Sequence, residues 1–155
     1  GKEIFRYLSQ SDDRDIKKQI LIDNCFVHST VMFKKKNWEA ADRYPEEFAV
    51  DWDWVLWLKL GRMGKLYNFP EYFAYYLQWT GNISNLDAKK NLSTRLALIH
   101  KYKKQYPGYV KSFMLGWAMY FYSLLPFKKI IRPLSLNIRS MVFGRPPIRI
   151  FTNEK

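Results

Sequence analysis

The residues of this chain whose types and spacing best suit chemistry are two carboxylates, Asp51 and Asp53, at the start of the segment Asp51–Leu60. The rest of this segment is almost wholly apolar and includes three tryptophans. A carboxylate beside tryptophans is costly to desolvate unless it has a partner or a task. At a helix start it is stabilised by backbone N–H groups and lies at the rim of a core, where a general base belongs. The alternative is that the acid only caps the helix.

Helical spacing of apolar residues predicts the elements that position these acids. The helix that carries them is expected over Asp53–Met63, with Gly64 ending it in the left-handed conformation that glycine accepts. Further helices are expected at Asp15–Ile22 with Asp12 or Asp13 as its cap, from Trp38 with Asn37 as its cap, and from about Asn85 to Gln105.

Segments rich in β-branched and aromatic residues predict strands between these helices. A buried strand is expected at Cys25–Phe33, and two short strands are expected at Lys65–Phe69 and Glu71–Trp79, separated by Pro70. Cys25 is the only cysteine, which excludes an intramolecular disulfide and fits a reducing compartment.

The net charge of +12 is concentrated in the last third of the chain. From Lys101 to Lys155 there are eleven Lys and Arg residues against Glu154 alone, which leaves +2 for the first hundred residues. Such asymmetry indicates an anionic partner for the basic part, either nucleic acid or an acidic membrane surface.

The basic part also contains a strongly apolar stretch. Ser112–Leu125 is shorter than the roughly 20 residues that span a bilayer. Phe127–Val142 then alternates basic and bulky apolar residues, which is typical of a segment in a membrane interface, with Trp117, Tyr120 and Tyr122 at headgroup level. The alternative is a helix that packs on the rest of the domain and keeps a solvated basic edge.

Several short motifs occur in a familiar order. They are Asn24-Cys-Phe-Val-His28-Ser-Thr-Val-Met-Phe33, Asp51-Trp-Asp53 leading into Leu56-Trp57-Leu58-Lys59-Leu60, Gly64-Lys65, Asn68-Phe-Pro70-Glu71, Tyr75-Tyr76 and Gly81-Asn-Ile-Ser84. From about Asp15 to Ser84 this order resembles the second half of the catalytic domain of family-two inverting glycosyltransferases. The resemblance implies a partial nucleotide-diphospho-sugar transferase fold (GT-A-like, α/β) that lacks its N-terminal nucleotide-binding half and is followed by C-terminal helices.

The resemblance also implies roles for individual residues. When the motifs are aligned on Leu56-Trp57-Leu58, Asp53 matches the aspartate that precedes this segment in the family. The resemblance implies that Asp53 is the general base that deprotonates the acceptor hydroxyl, with Asp51 as the alternative base. His28 is a possible substrate contact because its segment matches one beside the acceptor–donor cleft. Trp79 can stack on a sugar face. For both His28 and Trp79, a place in the core is the alternative.

Asp51-Trp-Asp53 also spells the acid-any-acid pattern that holds the metal and the sugar nucleotide in that family. Only Phe48-Ala-Val50 precedes it and an apolar helix follows, so we assign no metal site to this chain. A divalent metal, Mg or Mn, is expected in the full enzyme. The start at Gly1 and the lack of such a pattern before Cys25 indicate a fragment, and we expect the isolated chain to be inactive.

The expected organisation is an acceptor-side half of a catalytic domain at residues 1–106 and a basic, aromatic helical tail at 107–155 that meets a membrane. The full enzyme would be peripheral at the cytoplasmic face. It would move a sugar from a nucleotide-sugar donor to a hydroxyl of a glycan, lipid-linked or cell-surface polysaccharide acceptor. The alternative function is a non-catalytic basic module that binds an anionic membrane or nucleic acid. Nucleic acid is not expected, because the basic residues alternate with bulky aliphatics.

Overall fold

A computed structural model of the protein describes residues 6–48, 50–75 and 88–124, with the backbone alone described at residues 88–91. The described helices are α1 (Asp13–Gln19), α2 (Lys35–Ala40), α3 (Trp52–Met63), α4 (Ala88–Lys101) and α5 (Tyr109–Leu124), with a 3₁₀ turn at His28–Thr30 between α1 and α2.

Helix α3 lies at the centre of the core, and seven of its twelve residues are buried. The indole Nε1 of Trp54 donates a hydrogen bond of 2.7 Å to the carbonyl of Ile20, just after α1. Further along the helix, Tyr106 Oη donates a 2.7 Å bond to the carbonyl of Leu58. Because neighbours cover α3 on several sides, its sequence is apolar nearly all round.

Helices α4 and α5 pack closely against each other. Gly116 allows this approach, since a Cβ built at this position would lie 2.7 Å from Leu96 Cδ2. Ser112 is also buried, and its hydroxyl donates a 2.8 Å bond to the carbonyl of Gly108. The side chains of Tyr109 and Phe113 pack on the same core that surrounds α3.

The prediction of an α/β fold is wrong for the part of the chain that the structure describes, because this part is helical and contains no β-strand. The partial GT-A-like fold is therefore not observed. Cys25–Phe33 was expected to be a buried strand, but the chain turns at His28–Thr30 and only Cys25 of this segment is buried. The N–H groups of Thr30 and Val31 bond to the nearby carbonyls of Val27 and His28. High strand propensity does not make a strand when local groups take these hydrogen bonds.

The strands predicted at Lys65–Phe69 and Glu71–Trp79 are likewise absent over residues 65–75, and residues 76–79 lie outside the described part. The segment is held instead by groups at the entry to α1. The Leu66 N–H donates to Asp13 Oδ1 at 2.8 Å, and the Asn68 N–H donates to the Ser11 carbonyl at 3.0 Å. Burial opposes ionisation of Asp13, but the Leu66 N–H and the Lys17 ammonium outweigh it and lower the pKa of Asp13.

The helix predictions are confirmed with shifted ends. The helix predicted from about Asn85 to Gln105 is observed over Ala88–Lys101, and residues 85–87 lie outside the described part. Asp12 caps α1, with its Oδ1 accepting a 3.0 Å bond from the Asp15 N–H. Helix α2 begins at Lys35, ahead of the predicted start at Trp38, and its N-cap position is Lys34, so the predicted Asn37 cap is wrong. Gly64 does follow α3, but its φ of −161° is extended, so the predicted left-handed ending is wrong.

Over the described ranges, no helix is long and apolar enough to cross a membrane. The predicted interface segment Phe127–Val142 lies outside them.

Candidate functional site

Asp53 lies in the first turn of α3, and both of its carboxylate oxygens are oriented. Oδ2 accepts a 3.1 Å hydrogen bond from Asn24 Nδ2, and Oδ1 accepts a 2.8 Å bond from the backbone N–H of Trp54. Asn24 is held in turn, because its Oδ1 accepts a 3.1 Å bond from the Phe26 N–H. The start of α3 and the loop after α1 thus fix a partly buried carboxylate from two directions.

Asp51 precedes α3 in the left-handed conformation, with φ of 58° and ψ of 16°, and its side chain makes no capping hydrogen bond. Burial raises the pKa of this carboxyl; Arg95 opposes the effect, while the charges of Asp53 and Asp23 add to it. A left-handed residue with a Cβ is uncommon, and such strain often occurs at functional sites.

Arg95 reaches from α4 into this acidic region. Its guanidinium hydrogen-bonds the carbonyl of Ile22, lies 3.7 Å from Asp23 Oδ1, and stacks over the Trp54 ring at 5.1 Å from the centroid. The side chains of Arg95 and Asp23 are each only 12% exposed. Arg95 therefore brings positive charge close to Asp23 and Asp51 and ties α4 to the chain around α3.

A group of rings, here called the aromatic cluster, lies beside the carboxylates; it comprises His28, Trp38, Tyr44, Trp52 and Trp57. The His28 ring packs edge-on to Trp52 at 4.6 Å between centroids, and Tyr44 packs edge-on to Trp52 at 5.1 Å. His28 also lies 6.0 Å from Trp57, and Trp38 lies 6.1 Å from Tyr44. Burial and the nearby charge of Asp53 raise the pKa of Tyr44, so the cluster and the carboxylate adjoin.

Two donors of the aromatic cluster have no hydrogen-bond partner among the described residues. They are the buried indole Nε1 atoms of Trp38 and Trp57. Buried polar atoms without a partner are rare in folded proteins, and each is a place where an oxygen acceptor is favourable. The oxygen of a water molecule or of a hydroxyl-bearing ligand is the kind of acceptor that an indole N–H needs.

The structure brings together three of the four residues proposed from sequence: Asp51, Asp53 and His28. His28 is exposed on the 3₁₀ turn and does not lie in a strand, so the core position that was its alternative is not observed. The fourth, Trp79, lies outside the described residues. Asn24 was not predicted as a partner of Asp53, although it stands in one of the quoted motifs. Arg95 was not predicted either, because no local pattern connects it to the acids.

A divalent metal was expected only in a full enzyme. Among the described residues, no group of three His, Cys, Asp or Glu side chains is arranged to hold a metal ion. Asp23, Asp51 and Asp53 share one region without forming such a donor set, so no chemical step is assigned to a metal in this chain.

No protein-family model matches the chain, and no curated protein or solved structure matches it. Its function must therefore be inferred from the chemistry of the site.

Proposed function

We propose that this chain carries the acceptor-side site of a sugar-transferring enzyme. The enzyme would move a sugar from a nucleotide-sugar donor to a hydroxyl of a lipid-linked or cell-surface polysaccharide acceptor. The observation that carries the proposal is the Asp53 carboxylate, held by Asn24 next to the rings of His28 and Trp52. Ligand sites in proteins commonly combine aromatic walls with a few placed polar groups.

In the proposed reaction Asp53 is the general base. Its carboxylate takes the proton of the acceptor hydroxyl while that oxygen forms a bond to the anomeric carbon of the donor. The bond from this carbon to the nucleoside diphosphate breaks in the same step, so the configuration inverts. Asn24 is the positioning residue in this scheme, because its amide orients the carboxylate.

Two further observations support an acceptor that bears hydroxyl groups. His28 is exposed and its ring stands edge-on to Trp52, which offers an apolar surface to the faces of a sugar ring. The buried indole N–H groups of Trp38 and Trp57 have no partner among the described residues, and hydroxyl oxygens are acceptors for the hydrogen bonds that such groups donate. In the same proposal the protein is peripheral at the cytoplasmic face of a membrane, because lipid-linked acceptors and a basic chain would meet there.

The test is the Asp53→Asn substitution in the complete gene product that contains this chain. Purified protein is assayed with a panel of nucleotide sugars and with a membrane extract as the acceptor source, and nucleoside diphosphate release is measured. Loss of a general base lowers turnover by roughly 10²–10⁴-fold, and we expect this loss for Asp53→Asn.

Asp12→Asn is the matched control, because Asp12 is also an acid at a helix start and asparagine still caps a helix. It should leave turnover unchanged. If Asp53→Asn keeps wild-type turnover, Asp53 is not the base. If Asp51→Asn alone abolishes turnover, the role belongs to Asp51.

A further inference from the structure

Helix α5 carries an exposed apolar stripe on the side that faces away from α4. Its members are spaced four, three, four and three residues apart, which aligns them along one side of a helix. The stripe, here called the α5 stripe, consists of Val110, Met114, Trp117, Phe121 and Leu124, which are between 38% and 67% exposed. The other side of α5 packs on α4 through Gly116 and buries Ser112.

A contiguous apolar surface of this kind marks a place of contact with a partner or a membrane. The charge of the surrounding chain favours one occupant. No Asp or Glu occurs from residue 88 to residue 153, whereas thirteen Lys and Arg do. Lys111 is exposed on α5 itself, in the first turns of the helix. An anionic surface complements this charge distribution.

The same charge distribution argues against a second copy of the chain as the occupant. Paired helices use opposite charges beside their apolar seam to choose each other. Two copies of α5 would bring Lys111 and the neighbouring basic residues together with no acidic side chain of this region to pair with them. Like charges would therefore oppose the contact that the stripe favours.

We propose that α5 is a membrane-docking helix that lies in the interface of an anionic lipid bilayer. The α5 stripe enters the acyl boundary, and Lys111 lies among the headgroups. A helix with an apolar face, an interfacial tryptophan and basic neighbours suits this position. Within the described part of the chain, no helix is long and apolar enough to cross a membrane. The inference rests on the membrane part of the proposed function and does not require sugar transfer.

The experiment is flotation of the full 155-residue chain with vesicles of phosphatidylcholine, with and without phosphatidylglycerol. The wild-type chain should float with the anionic vesicles and stay behind with the neutral ones. The double variant Met114→Gln/Phe121→Gln removes two exposed apolar side chains of the α5 stripe. We expect it to weaken binding at least about tenfold.

The matched control is Met63→Gln/Phe73→Gln. These two residues are 50% and 67% exposed, close to the exposure of Met114 and Phe121, but they lie outside α5. The control should bind within about twofold of the wild type, because Met63 and Phe73 lie outside the α5 stripe. An equal loss in the control would assign the membrane contact to the exposed rings of Phe69 and Phe73, which pack at 5.7 Å between centroids, and would overturn the proposal. Circular dichroism checks that both double variants keep their helices.

A label gives a second, direct readout. Cys25 is the only cysteine and is buried, so Met114→Cys and Met63→Cys can each be labelled selectively with an environment-sensitive fluorophore. The label at Met114 should shift to the blue with anionic vesicles, whereas the label at Met63 should not. A label at Met114 that is already shielded without vesicles would show that the chain itself covers the stripe, which would overturn the proposal.

Other results would also overturn it. Vesicle binding that survives Met114→Gln/Phe121→Gln would assign the membrane contact elsewhere in the basic part. A dimer that the same substitutions dissociate would make a second copy the occupant, and salt-sensitive binding to duplex DNA in place of vesicles would make it nucleic acid. Asp53→Asn should float like the wild type, so a failure of docking and a failure of the sugar-transfer proposal are separable.

Discussion

Among the residues of the candidate site, Asp51 combines burial with an unusual backbone. Its carboxyl is partly buried near Asp23 and Asp53, and its φ is 58°. Because burial raises its pKa in the folded state, the folded protein holds this proton more tightly than the unfolded chain does. Asp51 therefore favours the folded state fully at pH values well below 3.8, the ordinary pKa of its carboxyl. This contribution to stability is lost as the pH rises from 3.8 through the higher folded-state pKa.

We therefore expect Asp51→Asn to increase the free energy of unfolding at neutral pH. Asparagine removes the buried charge and tolerates the left-handed conformation. The advantage over the wild type should vanish well below pH 3.8, where the wild-type carboxyl is protonated in both states. Urea denaturation at several pH values measures it.

Asp42→Asn is the control for this prediction. Asp42 has the same φ of 58° but a fully exposed side chain. Its substitution should change stability little and without the same pH dependence. A neutral-pH gain for Asp42→Asn equal to that of Asp51→Asn would mean that the backbone conformation is responsible and burial of the charge is not.

At the scale of elements, the contact between α3 and the chain after α4 depends on one close approach. Gly61 lies under the Tyr106 hydroxyl, and a Cβ built on Gly61 would be 2.5 Å from Tyr106 Oη and 2.9 Å from Leu66 Cδ1. The same hydroxyl donates the buried bond to Leu58. Leu58 and Gly61, which lie three residues apart on α3, thus both contact the Tyr106 hydroxyl.

This arrangement predicts strong coupling in a double-mutant cycle. Gly61→Ala should cost about 1–3 kcal/mol through overpacking, and Tyr106→Phe should cost about 1 kcal/mol through the lost hydrogen bond. In the double variant the hydroxyl is gone, so the cost should be clearly less than the sum of the two. Guanidinium denaturation of the four proteins measures the coupling, and additive costs would contradict the close approach.

At the scale of the whole molecule, Arg95 joins the C-terminal helices to the start of α3. It contacts Ile22, Asp23 and the Trp54 ring in a nearly dry environment. Removing one member of a buried ion pair leaves the other charge poorly compensated, which is costlier than losing an exposed pair.

Arg95→Met should therefore lower the free energy of unfolding by about 2–4 kcal/mol. Lys101→Met is the control on the same helix, because Lys101 pairs with Glu47 where the two side chains are 53% and 63% exposed. That change should cost less than about 1 kcal/mol. Thermal unfolding of both variants compares them, and equal costs would show that Arg95 does not hold α4 in place.

The helices could be predicted from the sequence to a useful degree, because their signals are local. The Asp12 cap, the apolar spacing of α1 and the two acids before the tryptophan-rich α3 lie within a few residues of the structure they specify. The strands could not be predicted in this way. Cys25–Phe33 and residues 65–75 have strand-like composition, but a strand also needs a neighbour to take its hydrogen bonds.

The sequence by itself determined where α1 and α3 lie and that two carboxylates stand at the mouth of an apolar helix. Only the tertiary structure decided which groups meet them. Asn24 lies 29 positions before Asp53 and Arg95 lies 72 positions after Asp23, yet they contact these acids. Caps and periodicity act between near neighbours in the chain, whereas contacts at such separations depend on how the helices pack.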